Sequence, residues 1–257
     1  MPDPTELSPA EAAKLAASRA AVALVGDGMK LGLGTGSTAS VMVRELAARV
    51  RAEGLNLRCA ATSRATADLA ASLGLKVEPL DQIGWLDLTI DGADEVDPDL
   101  NLIKGGGGAH LREKIVARAS DRMVVIADPA KVVEMLGAFH LPVEVISFGW
   151  QITERLIREV LQAQDLGHRP ILQRQRDGRP FITDEGNLIL DLSLEAIPDP
   201  ARLARGLADL PGVVEHGLFL GICDLAIIGK PDGSVIELTR ADATEGADPL
   251  FDEEGRA

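Results

Sequence analysis

The sequence predicts an α/β protein, with a mostly parallel sheet covered by helices on both faces and a small α+β domain set into the same chain. Two observations carry that prediction. Through about residue 131, short apolar runs alternate with helical patterns, the order that lays parallel strands side by side with helices across them. From about residue 141 the rhythm becomes strand, helix, strand, strand, helix, strand, the signature of a split βαβ unit. A chain of 257 residues, 46% apolar and 26% charged, is long enough and apolar enough to bury a substantial core.

The first helix opens at Ser8-Pro9-Ala10-Glu11, a capping box with proline in the first turn, and runs through an alanine-rich stretch to about residue 25. After Gly26-Asp27-Gly28, residues 29–33 read as a strand that empties into GLGTGSTAS, and a helix follows to about residue 53. LRCAAT is the next strand, and residues 63–73 form a helix stopped by Gly74. Beyond KVEPL, the run WLDLTI is a buried strand leading into DGADEVD. Residues 108–120 carry a helix with LREKIVARA, and MVVIAD is an apolar strand ending at Asp128-Pro129-Ala130-Lys131. The second rhythm reads as PVEVI, a helix over 150–163, ILQRQ, an FITDEGNLILDL hairpin, a helix over 200–210 and VVEHGLF. Residues 225–238 read as two short strands joined by KPDGS that rejoin the main sheet. The expected domains are 1–140 with 219–240, then 141–218, with 241–257 an acidic, flexible tail of no assigned role.

Charge narrows the function. Lys and Arg number 26 against 40 Asp and Glu, a formal charge of −14, which argues against a nucleic-acid track and leaves anions to be met by local sites. Cys59 and Cys223 are the only cysteines and sit in apolar surroundings, so two buried thiols are expected and a reducing cytoplasm fits. MPDPTELSPAEAAK lacks the regions of an export signal, and no apolar run approaches a membrane span, so no membrane partner is expected. His110, His140, His168 and His216 show no metal-ligand spacing with cysteines or carboxylates, so no metal site is expected.

Ligands of parallel sheets lie beyond the carboxyl ends of strands, which points to the loops GTGST, TSRAT, DGADEVD with IKGGGGAHLREK, and ADPAK. Gly34-Thr35-Gly36-Ser37-Thr38 offers free backbone N–H groups, hydroxyls and a helix start, which suits a phosphate or carboxylate; a bare strand-to-helix turn would need only the glycines. Residues 34–39 fit the loose G-x-G-x-x-G/A dinucleotide pattern, but LRCAAT ends without the acidic residue that holds a ribose, and no segment supplies a Gly-Lys-Ser/Thr P-loop. Asp91-Gly92-Ala93-Asp94-Glu95 packs three carboxylates behind a buried strand, where a simple turn or cap is the bland alternative. Lys104 followed by Gly105, Gly106, Gly107 and Gly108 is costly to order unless backbone must approach something closely. Glu113, between Arg112 and Lys114, would by charge pattern alone count as an exposed helix residue. Lys131 stands at a strand end, and Lys14 among alanines is expected to point its ammonium outward.

Taken in order, GLGTGSTAS, DGADEVDPDLNLIKGGGGAHLREKIVA, ADPAK, LPVEVI, FITDEGNLILDL and PGVVEHGLF resemble the type A ribose-5-phosphate isomerases. The resemblance covers residues 8–240 and is carried chiefly by the pairing of DGADE with KGGGGA-x-LREK. It implies a Rossmann-like domain with a small ferredoxin-like one, and interconversion of ribose 5-phosphate and ribulose 5-phosphate through an enediolate in the pentose phosphate pathway. No cofactor is implied, and the partner is a further copy of the chain, as homodimer or homotetramer. Glu113 is then the proton acceptor, with Asp91, Asp94 and Lys104 around the reacting carbons. Thr35, Gly36, Ser37, Thr38, Gly92, Ala93, Gly105, Gly106, Gly107 and Lys131 bind substrate, and either Asp91 or Asp94 opens the sugar ring. Three departures from the family pattern stand out. His110 occupies a position usually small or apolar, RQRDGRP lengthens a small-domain connection away from the motifs, and the acidic tail extends the chain. Rival readings are a sugar-phosphate sensor without catalysis, for which no output domain is present, an amino-sugar phosphate deaminase, and a CoA transferase of similar fold.

Overall fold

The computed structural model describes residues 7–239; the acidic tail expected over 241–257 lies outside them. Helix α1 (Pro9–Ala23) starts with the capping box read from the sequence: Ser8 accepts from the Glu11 N–H while Glu11 reaches back to the Ser8 N–H. Strand β1 (Lys30–Leu33) then feeds α2 (Ser37–Glu53), which ends on Gly54 in the left-handed region, and β2 (Arg58–Ala61) feeds α3 (Arg64–Ser72), capped by Ser63.

KVEPL departs from the expected pattern. Val77 makes only an isolated bridge to Cys59, and Pro79 starts a one-turn helix, α4 (Leu80–Ile83). The buried strand β3 (Leu88–Gly92) begins later than WLDLTI suggested, because Trp85 is left exposed. Two short strands, β4 (Glu95–Val96) and β5 (Leu102–Ile103), precede α5 (His110–Arg118), shorter than the expected 108–120 because Gly108 is left-handed at φ 79°. Strand β6 (Met123–Ala127) is buried throughout and leads to a 3-10 turn at Pro129–Lys131.

The second unit comprises β7 (Leu141–Val145), α6 (Trp150–Gln162), β8 (Ile171–Gln173), the small pair β9 (Gln175–Arg176) and β10 (Arg179–Pro180), β11 (Leu188–Leu192), α7 (Pro200–Ala208) and β12 (Val213–His216). FITDEGNLILDL is not the expected hairpin. Thr183 and Asn187 close a turn, and the LILDL part pairs instead with β7 and β8. VVEHGLF is likewise cut at Gly217, with β12 in one sheet and β13 (Leu218–Phe219) in another. The chain returns through β14 (Leu225–Gly229) and β15 (Val235–Thr239).

The main sheet has the order β15-β14-β6-β3-β1-β2, parallel except for β15. The second sheet is antiparallel, β12-β7-β11-β8, and packs its leucine-rich face on α6 and α7, while β13-β5-β4 forms a small third sheet. Gly229 lets α1 lie directly on β14, since a Cβ there would meet Ala13 O at 2.0 Å, and this sets the position of the next residue, Lys14. Cys59 and Cys223 are both buried, as read from the sequence.

Candidate active site

The main sheet reverses its strand order between β1 and β3, and the crevice above strand ends at such a point is the favoured ligand site of α/β sheets. Here the loops after β1 and β3 meet without a gap. A Cβ on Gly34 would strike Asp91 Oδ1 at 2.0 Å; with glycine there, Asp91 Oδ1 accepts from Thr35 N at 3.0 Å and Gly92 N at 2.7 Å.

Lys104 leaves β5 and turns back beneath this junction. Its Nζ donates to Gly92 O at 2.5 Å and stands 3.0 Å from Asp91 Oδ2 and 3.4 Å from Glu113 Oε2. Glu113 comes from the first turn of α5, and all three side chains are buried. Lys104 is fixed from below as well. Its N–H donates to Gly217 O at 2.9 Å, a Cβ on Gly217 would meet Lys104 O at 2.3 Å, and its ammonium lies 5.5 Å from the centre of the buried Phe219 ring. The chain break at Gly217 thus serves the lysine.

Two buried carboxylates share this one ammonium, so both cannot be ionised cheaply. Burial raises Asp91 above the ordinary aspartate value, opposed by Lys104 and by the Gly92 and Thr35 N–H groups. Burial pushes Glu113 up to about 8, the Asp91 and Asp94 charges push the same way, and Lys104 pulls back. Asp91 is the better placed to keep its charge, because its Oδ1 accepts from two backbone N–H groups whereas no backbone N–H supports Glu113. Burial works against the charge on Lys104 too, but Asp91 and Glu113 outweigh it and keep the lysine above its usual value.

The glycine run closes one wall. Gly105 is left-handed at φ 107°, where a Cβ would meet His110 Nδ1 at 2.8 Å, and Gly106 N donates to Asp94 Oδ2 at 2.7 Å. His110 is fully buried with neither ring nitrogen hydrogen-bonded; burial, then Lys114 and Arg174, lower it to about 3. It is therefore neutral, and adds no charge beside Glu113.

At the other end, α2 starts on Gly36 with no side chain capping it, leaving the N–H groups of its first turn directed at the cavity mouth. Lys14, expected to point into solvent, instead reaches across from α1 and donates to Ser37 Oγ at 3.0 Å. Only the packing of α1 on β14 and α2, a long-range fact, brings it there. The Thr35 hydroxyl is turned inward to Thr62 at 2.7 Å and Ser63 at 2.8 Å, so this residue meets the cavity with its methyl group and backbone.

A cavity of about 160 Å³ joins the two ends. Thr35, Gly36, Ser37, Thr38, Gly92, Ala93, Asp94, Lys104, Gly105, Gly106, Gly107, Glu113 and Lys131 border it together with Lys14, and Asp91 lies under its floor. The site residues implied by the resemblance are thus brought to one place, whereas the TSRAT loop does not border this cavity. A larger depression, about 580 Å³, lies on the flank of α3 and α5 and contains neither the lysines nor the buried carboxylates. One expectation fails: RQRDGRP does not lie away from the motifs, since Arg174 Nη1 donates to Gly105 O at 2.8 Å. Among the described residues no cluster of His, Cys, Asp and Glu fit for a metal occurs, and no helix is long and apolar enough to cross a membrane.

The family model of ribose 5-phosphate isomerase A (phosphoriboisomerase A) matches residues 58–233. The ribose-5-phosphate isomerase A of Dinoroseobacter shibae is 60% identical over 230 residues, covering 90% of this chain and 88% of that one. The solved ribose 5-phosphate isomerase A of Methanocaldococcus jannaschii superposes with a TM-score of 0.79 at 39% identity, covering 88% and 97%. A D-ribose-5-phosphate isomerase solved with phospho-erythronic acid gives 0.82 at 32% identity, covering 90% of this chain and all (100%) of the other.

Proposed function

The chain belongs to the ribose 5-phosphate isomerase A family, and from that premise we propose how its residues interconvert D-ribose 5-phosphate and D-ribulose 5-phosphate through an enediolate, a reaction of the pentose phosphate pathway. Substrate and product are isomers, so the task is to move protons between adjacent carbons and oxygens. The phosphate sits at the start of α2, met by first-turn N–H groups, the Ser37 and Thr38 hydroxyls and the Lys14 ammonium, with Lys131 at the rim. That anchors the sugar with its carbonyl end toward Lys104.

Asp94 faces the cavity while Asp91 lies beneath it with one oxygen held by two N–H groups. We therefore give ring opening to Asp94 and the placing of Lys104 to Asp91. In the open chain Glu113 takes the proton from C2 and negative charge moves onto the C1 oxygen; the O2 hydroxyl proton passes to O1, and the same carboxyl returns its proton at C1, leaving the carbonyl at C2. Lys104 and the N–H groups of the glycine run neutralise the oxyanion as it forms. A base raised to about 8 is close to the working pH and accepts and returns a proton with little driving force wasted either way.

The observation that carries this reading is a single buried carboxylate, Glu113, 3.4 Å from a buried ammonium at one end of a cavity whose other end is an anion cradle. We also propose that residues 1–140 with 219–240 form the catalytic domain and 141–218 the small one, supported by an apolar cluster under each sheet, the second of which also takes in Ile103 and Leu136. A cytoplasmic homodimer or homotetramer is the assembly we favour, supported by the family resemblance and by exposed apolar side chains at Phe148, Ile152 and Leu172.

Proton NMR of ribose 5-phosphate in deuterated water tests the chemistry. The protein alone is expected to exchange the hydrogen on the carbon beside the carbonyl while ribulose 5-phosphate accumulates. Glu113→Gln is expected to lower turnover by roughly 10³- to 10⁴-fold with phospho-erythronic acid still bound. Turnover near the wild-type rate in that variant would overturn the assignment.

A further inference from the structure

The glycine run that carries the oxyanion donors closes its own turn, with Gly108 N donating to Gly105 O at 2.9 Å, and is also held by a side chain from the antiparallel sheet. Arg174, just past β8, forks between two anchors. Its Nε and Nη2 donate to Asp191 on β11 at 2.9 and 2.5 Å, and its Nη1 donates to Gly105 O at 2.8 Å and Gly106 O at 3.2 Å. The pair is largely buried, with 11% of the arginine and 13% of the aspartate side chain exposed.

A trans peptide unit points its C=O and N–H in opposite directions, and no cis peptide occurs among the described residues. Turning Gly105 O toward Arg174 therefore turns Gly106 N–H the other way, and that N–H is the one given to Asp94 at 2.7 Å. The next peptide obeys the same rule. Gly106 O faces Arg174, so Gly107 N–H faces the opposite side; Gly107 borders the cavity, and this N–H has no hydrogen-bond partner among the described residues. Phe181 braces the same loop, since a Cβ on Gly108 would meet its ring at 2.4 Å, and its centre lies 6.0 Å from the Arg174 guanidinium.

We propose that Arg174 is a positioning residue for the isomerisation: anchored on Asp191, it sets the tilt of two consecutive peptides, aiming Gly106 N–H at Asp94 and Gly107 N–H at the enediolate oxygen. Only a planar fork does both jobs, because a lysine offers one point of charge. The inference rests on the isomerase reading above.

The test compares wild type, Arg174→Ala, Arg174→Lys and Asp191→Asn for kcat and KM with ribose 5-phosphate, for inhibition by phospho-erythronic acid, and for Tm. Arg174→Ala is expected to lose roughly 10- to 100-fold in kcat with KM within about threefold, since donors made only in the transition state are mis-aimed. Phospho-erythronic acid, whose carboxylate mimics the charged enediolate, should weaken in step with kcat/KM. Added guanidinium ion at millimolar concentration should recover part of the kcat of Arg174→Ala. Arg174→Lys should stay impaired, and Asp191→Asn should lose about 3- to 10-fold. A folded Arg174→Ala with kcat within about twofold of wild type overturns the proposal, as does a loss seen only in Tm and KM that guanidinium leaves unchanged. If Arg174→Ala fails to fold, Asp191→Asn decides, and wild-type kcat there refutes it. A wild-type chain inactive on ribose 5-phosphate would overturn the isomerase reading, and this inference with it.

Discussion

The two ends of the cavity are made of different materials. At the start of α2, Gly36 and Ser37 are exposed, the donors are backbone N–H groups and hydroxyls, and the lysine that helps them comes on a long stem from another helix. At the opposite end Asp91, Lys104 and Glu113 are all at most 3% exposed and braced on one another, on Gly217 and on Phe219. Water weakens every charge at the first end, so that end can give affinity but little rate. Burial strengthens charges at the second, at a desolvation cost of several kcal/mol per ion that folding must offset. The difference teaches where to look for kcat and where for KM.

The sharpest way to break this comparison is at Lys104. On the proposed mechanism Lys104→Ala removes the buried cation that faces the developing oxyanion, and it is expected to lower kcat by about 10²- to 10³-fold with KM little changed. The same substitution leaves Asp91 and Glu113 without their counter-charge, so the Glu113 carboxyl should rise further and the kcat/KM profile move to higher pH. Unchanged kcat with a raised KM would mean that Lys104 belongs with the anion cradle.

A smaller effect comes from pH, and its sign is fixed. Burial raises the folded Glu113 to about 8, above its ordinary 4.5. Below the folded value the base is protonated, so log kcat/KM should rise with slope near one up to about pH 8 and then level. Stability runs the other way. A raised carboxyl favours the folded state fully below the unfolded value, and that contribution fades as pH climbs through 8. Activity should therefore rise across the window in which this contribution to Tm falls, and Glu113→Gln should remove that contribution from the Tm profile.

How much of this was legible in the sequence follows from the range of each interaction. The capping box of α1, the glycine stops and the alternation of strands and helices are local, and they read correctly. The reacting cluster was legible because DGADE and KGGGGA-x-LREK each carry an anomaly of their own, a run of carboxylates and a run of glycines. The chain breaks were not. VVEHGLF scans as one strand, and only the close approach of Lys104 to Gly217 explains why it changes sheets there. Lys14 and Arg174 were misjudged for a related reason. Each looks like a surface charge among its neighbours in sequence, and each finds its partner across a gap in the chain, Lys14 at Ser37 and Arg174 at Gly105. No periodicity encodes such a meeting.

Lys14 supplies the smallest predicted effect and the cleanest probe of the anion end. It follows Ala13, whose carbonyl rests where a side chain on Gly229 would be, so its backbone is fixed while its ammonium stays partly in water. Lys14→Ala should raise KM for ribose 5-phosphate by roughly 3- to 10-fold and leave kcat nearly unchanged, because the phosphate is held equally in ground and transition states. Salt sharpens the reading. An exposed ion pair is screened over about 8 Å at physiological ionic strength, so added salt should raise the wild-type KM more than that of Lys14→Ala. A fall in kcat instead would mean that the cradle tenses the sugar toward the buried end, and the separation of affinity from rate between the two ends would no longer hold.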